Sequence, residues 1–327
     1  MSAVGKVAVI GSGSVGLYYG GKLAAKGVDV HFLLRSGFNE ASHRGISIFS
    51  VNSEDVHLDR PKIFRDVREI GQCDVVIVAL KTTSNSALER LVPPLLHDGT
   101  ILLTLQNGLG NEELLAALFG AERVLGGLCF VCLTRRTEAS VDHFGHGMLS
   151  IGEYAGAPLP RTGVLVQAFC ESGIDARLVD DLATERWRKL VWNIPFNGLA
   201  VAEGGLTVDR ILGDPVLKTR CRALMNETIT AATALGHPIE RQYADLQIER
   251  TYPMGAYQPS TLVDWLAGRE LEIETMWGEA LRRANEIGLS LPHLQLLYER
   301  LKQLQSPLPQ AAEVAPFDAD TDRTSMA

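Results

Sequence analysis

Residues 11–16 read Gly-Ser-Gly-Ser-Val-Gly, directly after the short apolar run 6–10 and before a stretch that reads as helix to about Gly27. An apolar strand that ends in glycines at this spacing must turn tightly and leave space beside its main chain. A helix must also start close against it. Gly11 allows the turn, Gly13 lets a pyrophosphate approach the backbone, and Gly16 allows the helix to pack on the strand. The N–H groups and positive end of that helix favour phosphate. Gly11, Ser12, Gly13, Ser14, Val15 and Gly16 are therefore expected to hold a dinucleotide.

The end of the second strand selects which dinucleotide. An acid there receives the ribose 2′-hydroxyl of NAD. Residues 29–34 read as that strand and are followed by Arg35 and Ser36, while Asp29 comes too early. Arg35 suits a 2′-phosphate, so NADPH is the expected cofactor. Further strands are expected at 74–80, 100–105 and 124–131, with helices between them such as 111–119. This alternation predicts a parallel sheet with helices on both faces, a doubly wound α/β domain of Rossmann type. Lys81 and Asn107 follow two successive strands, at the carboxyl edge where such sheets bind ligands.

After residue 183 the signals become helical. Asp214-Pro215 opens one helix and Gly236 closes it. Another is expected over 270–287, and a last one ends near Gln305. The organisation read from this is a nucleotide domain over 1–183, an all-helical substrate domain over 184–305, and a disordered tail over 306–327, where large apolar groups are scarce. The formal net charge of −8 argues against a nucleic-acid partner. No apolar run is long enough for a bilayer, and the N-terminus lacks a secretory pattern. Five scattered cysteines fit reduced thiols in a cytoplasmic protein. Cys129 and Cys132 fall inside an apolar run that reads as a buried strand rather than a redox or metal pair. His143 and His146 have no accompanying ligand cluster, and the glycines around them favour a hairpin, so no metal is expected.

Within the helical half, Lys189, Asn193 and Asn197 recur every four residues, which on a helix places all three on one face. One ammonium and two amides in a row suit a small molecule carrying a carboxylate beside a keto or hydroxyl oxygen. Pro195 lies within the same helix and is expected to kink it. Ser260 alone reads as a helix N-cap, and Glu272 as part of a charged helix face.

These motifs together resemble the ketopantoate reductase (2-dehydropantoate 2-reductase) family over about residues 5 to 305. The carriers are the Gly11–Gly16 loop, Arg35, Leu80-Lys81, Gln106-Asn107-Gly108, Val141-x-His-x-Gly-x-Gly147, Trp187-x-Lys189-x-x-x-Asn193-x-x-x-Asn197, Pro259-Ser260-x-x-x-Asp264 and Glu272-Ile-Glu-x-x-x-Gly278. The resemblance implies a Rossmann domain and a helical domain of the 6-phosphogluconate dehydrogenase-like type, with the active site in the cleft between them. It implies Lys189 as general acid, and Glu272 paired with that lysine and with the cofactor side. Asn193, Asn197 and Ser260 would hold the substrate, joined by Asn107 and by Thr207. Lys81, Asn107 and Glu272 would line the NADPH site. The implied reaction is reduction of ketopantoate to pantoate, on the route to pantothenate and coenzyme A. A homodimer is admitted as the assembly.

Three residues depart from the family pattern around the substrate: Thr207 in place of an asparagine, Leu262 in place of a methionine and Leu271 in place of a threonine. They leave open a related reductase acting on another 2-keto acid. A non-catalytic NADP-binding sensor would be marked by a broken Lys189–Asn193–Asn197–Glu272 set, and that set is intact.

Overall fold

The computed structural model describes residues 4–51 and 53–305; the tail expected over 306–327 lies outside them. Ten strands of the described residues form one sheet: β1 (Lys6–Ile10), β2 (Asp29–Leu33), β3 (Ile46–Ser50), β4 (Val56–Leu58), β5 (Lys62–Phe64), β6 (Val75–Val78), β7 (Ile101–Thr104), β8 (Val124–Thr137), β9 (Ser140–Glu153) and β10 (Ala176–Leu178). The N-terminal helices are α1 (Ser14–Ala25), α2 (Phe38–Arg44), α3 (Val67–Ile70), α4 (Leu88–Leu91), α5 (Asn111–Phe119) and α6 (Pro160–Glu171). The C-terminal part is helical: α7 (Leu182–Ala202), α8 (Val208–Gly213), α9 (Pro215–Ala234), α10 (Tyr243–Thr251), α11 (Ser260–Leu266), a π-turn at Glu274–Gly278 running into α12 (Glu279–Glu286), and α13 (Pro292–Gln305).

The strand order β5-β2-β1-β6-β7-β8 is parallel throughout. Its order reverses between β1 and β6, the switch point where a ligand crevice opens at the carboxyl ends of strands. Both faces are covered, and β1 shows it. Val7 and Val9 join the core beneath α1, and Ala8 and Ile10 join the opposite core with Leu88 and Leu95. Alternate side chains of a strand point to opposite faces, so an unbroken apolar run is what such a strand needs.

The parallel sheet expected from the sequence is present in these six strands, and the full sheet extends beyond it as a mixed one. β8 and β9 form a long antiparallel hairpin, and β3 pairs with β9 and with β4. This second half curls back, so that α1 packs against β1, β2, β3, β4, β8 and β9. The turn expected around His143 to Gly147 is not a hairpin end but the interior of β9, where His146 has a positive φ of 59° and the pairing shifts register. Gly147 is glycine because Tyr18 of α1 comes close: a Cβ there would lie 2.8 Å from the phenol oxygen.

In the helical half, α7 is buried nearly all round and gathers α8, α9, α11 and α13 about it. Pro195 sits within α7. The expected helix over 270–287 starts later and contains the π-turn, a feature common at functional sites.

Candidate active site between the two domains

The glycine loop carries the features a dinucleotide needs. Gly11 has φ 92°, and a Cβ there would stand 2.2 Å from the Leu80 amide nitrogen, so the exit of β6 passes directly beside it. A Cβ on Gly16 would meet the Gly11 carbonyl oxygen at 2.4 Å, whereas one on Gly13 would meet nothing within 4 Å. The open side is therefore at Gly13. No side chain caps the N-terminus of α1 and no acid lies in its first turn, which leaves its amides and dipole to an anion. Ser12 donates to the Leu33 carbonyl oxygen at 2.9 Å and ties the loop to the end of β2, where Arg35 stands exposed. These residues fit an NADP cofactor. A cavity of about 850 Å³ lies at the opposite edge, around the start of β2, and is lined by charges of both signs such as Lys22, Asp29, Asp55 and Lys62.

Lys189 reaches across the cleft. Its Nζ donates to Asn107 Oδ1 at 2.7 Å, joining α7 to the loop after β7. Burial pushes the ammonium down to about 8; Arg186 pushes the same way, while Glu272 and Glu112 oppose it. One turn on, Asn193 is 7% exposed and its amide makes no hydrogen bond among the described residues. Another turn on, Asn197 Oδ1 accepts from the Thr261 amide at 3.0 Å and from Ser260 Oγ at 3.4 Å. The asparagine therefore caps α11 and holds Ser260 beside the stripe. Thr207 is turned to its own helix, its hydroxyl donating to Asp209 at the head of α8.

Glu272 makes no hydrogen bond or ion pair with Lys189. Its Oε1 accepts from the Thr82 amide at 2.7 Å and its Oε2 from Lys81 Nζ at 3.1 Å. The expected pairing is thus with the cofactor-side lysine, and Glu272 reaches Lys189 only through its field. Lys81 has a second acid, Asp264 Oδ2, at 2.6 Å. Burial alone would lower Lys81, but Glu272 and Asp264 outweigh it and hold it above the ordinary lysine value. The π-turn adds Thr275, whose hydroxyl meets that of Thr82 at 3.0 Å and whose carbonyl oxygen accepts from the Leu109 amide at 2.9 Å. Asp264 and Thr275 carry no sequence signal of their own. Asp264 was visible only as a member of the Pro259–Asp264 motif. Their partners lie 183 and 193 residues away.

The two histidine rings have separate partners. His143 bonds Ser50 Oγ through Nδ1 at 3.1 Å and the His146 carbonyl oxygen through Nε2 at 3.2 Å, whereas the His146 ring lies against the Phe130 ring. Among the described residues no cluster of three or more metal-ligating side chains occurs. Cys129 and Cys132 are free, buried thiols of β8.

A family model described as ketopantoate reductase PanE/ApbA matches residues 7–156, and its C-terminal counterpart matches residues 181–305. The 2-dehydropantoate 2-reductase of Nostoc sp. is 37% identical over 304 residues, spanning 91% of this chain and 95% of that protein. The crystal structure of 2-dehydropantoate 2-reductase from Geobacter metallireducens superposes with a TM-score of 0.89 at 42% identity, covering 91% of this chain and 99% of its own. A ternary structure of D-mandelate dehydrogenase with NADH and anilino(oxo)acetate shares the fold, with a TM-score of 0.83 at 20% identity over 92% of this chain and 98% of that one.

Proposed function

We propose, because this chain belongs to the ketopantoate reductase family, that it reduces 2-dehydropantoate to pantoate with NADPH and that Lys189 is the general acid. The observation that carries the role of Lys189 is its bond to Asn107 across the cleft, on the helix face that also presents Asn193 and Asn197. NADPH, when bound, supplies the hydride. As negative charge develops on the keto oxygen, a lysine ammonium beside it stabilises that charge and then gives up a proton. A lysine held near 8 is still charged at neutral pH yet releases its proton more readily than an ordinary one.

Asn107 fixes the ammonium. Asn193 offers a free amide to the substrate, and Ser260, held by Asn197, offers its hydroxyl from the facing helix. Lys81 and Glu272 form a charged pair on the cofactor side, suited to the nicotinamide ribose. Gly11, Ser12, Gly13, Ser14, Val15 and Gly16 would cradle the pyrophosphate, and Arg35 would meet the 2′-phosphate. Among the described residues no helix is long and apolar enough to cross a membrane.

Oxidation of NADPH followed over a panel of 2-keto acids tests the reaction. A site that hydrogen-bonds the substrate hydroxyl rejects an analogue lacking it, so ketopantoate should exceed 2-ketoisovalerate in kcat/KM by at least about tenfold. Equal values would leave a reductase of another 2-keto acid, the reading that Thr207 and Leu262 favour.

A further inference from the structure

Arg135, near the end of β8, has no part in the chemistry above. We propose that Arg135 is a second cation for the cofactor's 2′-phosphate, delivered to Arg35 by the tip of the β8–β9 hairpin, an assignment that rests on the NADPH reading. β8 pairs with β7 only from Val124 to Gly126, and its later residues run on past the carboxyl edge of the parallel sheet to Thr137. The hairpin tip meets Gly37, two residues after Arg35: a Cβ on Gly37 would lie 2.7 Å from the Glu138 carbonyl oxygen. The Arg135 guanidinium is fixed to the same tip. Its Nε donates to the Thr137 carbonyl oxygen at 3.2 Å and its Nη2 to the Glu138 carbonyl oxygen at 2.6 Å. One carbonyl group therefore stands between Arg135 and the segment that carries Arg35 and Ser36.

Among the described residues neither Arg35 nor Arg135 has a carboxylate partner, and both are exposed. Their basic neighbours are engaged. Arg65 lies over the Phe38 ring and bonds Asn39, Arg136 pairs with Asp142, and Arg269 pairs with Asp264. Glu138 and Glu40 lie near Arg135 without forming an ion pair with it. Partial burial lowers the Arg135 pKa, and the charge of Arg269 on the facing domain lowers it further against those two acids. A guanidinium so placed favours an anion, and its planar fork matches a phosphate.

Titration calorimetry with 2′-phospho-ADP-ribose and ADP-ribose isolates this end of the cofactor from turnover. The unaltered protein should prefer the phosphorylated ligand. Arg135→Ala should weaken that ligand by about tenfold or more, as for a lost charge-assisted bond, and leave ADP-ribose affinity unchanged. Retained ADP-ribose binding also reports a folded variant. Arg135→Lys, which keeps charge but not the fork, should fall between. Arg135→Ala weakening both ligands equally, or neither, overturns the assignment while the preference of the unaltered protein leaves the NADPH reading standing. An unaltered protein that binds both ligands equally overturns the NADPH reading and this assignment together.

Discussion

Lys189 must be charged to act as an acid, yet the cleft removes it from water. The compromise is a pKa near 8, and it gives the pH dependence a sign. Below that value the group is protonated and competent for reduction; above it the proton is gone. Turnover in the reducing direction should therefore fall as pH rises through about 8, read from kcat over a pH series at saturating substrate. A flat profile to pH 10 would remove the lysine from the proton transfer. Lys189→Ala should lower turnover by about 10²- to 10⁴-fold, the range for loss of a general acid, with NADPH binding, measured by fluorescence, nearly intact. Near-normal turnover in that variant would rule the role out. Asn197→Ala should behave differently, because its oxygen holds Ser260 and the start of α11. It should raise the Michaelis constant at least as clearly as it lowers turnover, by an amount equivalent to about 1–3 kcal/mol; an effect confined to turnover would contradict a positioning role. At this scale much was legible. The Lys-Asn-Asn stripe follows from helical periodicity alone, but the partner of Glu272 does not, because its contact with Lys81 spans 191 residues and nothing local encodes it.

Helix α7 is the element that joins chemistry to packing. Its first half carries Arg186 and Lys189 to the nucleotide domain, and its second half is the axis of the helical core. Gly198 lies one position beyond the last asparagine of the stripe. A Cβ there would be 2.6 Å from Leu297 Cδ2 and 3.0 Å from Trp277 Nε1, whose N–H donates to the Ile194 carbonyl oxygen at 3.0 Å. Gly198 is thus a close-approach glycine. Gly198→Ala, usually favourable in a helix, should here destabilise by about 1–3 kcal/mol through overpacking. Denaturant titration checks this, and a variant as stable as the parent would show that Leu297 and Trp277 yield freely. The sequence exposed α5, α9 and the end of α13, which have strong caps or clean periodicity. It hid β3, β4, β5 and β10, which are only three to five residues long. It also cut β8 short at 131, because the strand continues through polar Thr134, Arg135, Arg136 and Thr137 as a hairpin extending beyond the parallel sheet. The glycines and histidines of β9 read as a turn because the strand there is bulged rather than regular.

At the scale of the molecule the cleft is held by contacts that cross it. Lys81 meets Asp264 and Glu272, Arg283 meets Glu113, and Lys189 meets Asn107. The most deeply placed is Arg186 on α7, which is 4% exposed and pairs with Glu112 of α5, itself 4% exposed. Arg186 Nε donates to the carboxylate at 2.8 Å, and Nη1 donates to the Gln106 carbonyl oxygen at 2.8 Å, directly before Asn107. The same side chain thus locks the two domains and sets the loop that receives Lys189. In sequence Arg186 is one more charge in a charged stretch, because burial of a pair 74 residues apart is a property of the assembled fold. Two charges taken out of water together gain little net stability, but removing one strands the other. Arg186→Met should therefore cost about 3–5 kcal/mol in denaturant unfolding, and adding Glu112→Met should recover most of that loss. Catalysis should not recover with it. In the double variant the Gln106 carbonyl still lacks its donor, so Asn107 is less firmly placed and turnover should stay depressed while the midpoint of unfolding returns. A double variant that regains both stability and turnover would reduce Arg186 to packing alone. One that regains neither would mean that the carbonyl contact, not the ion pair, holds the domains together.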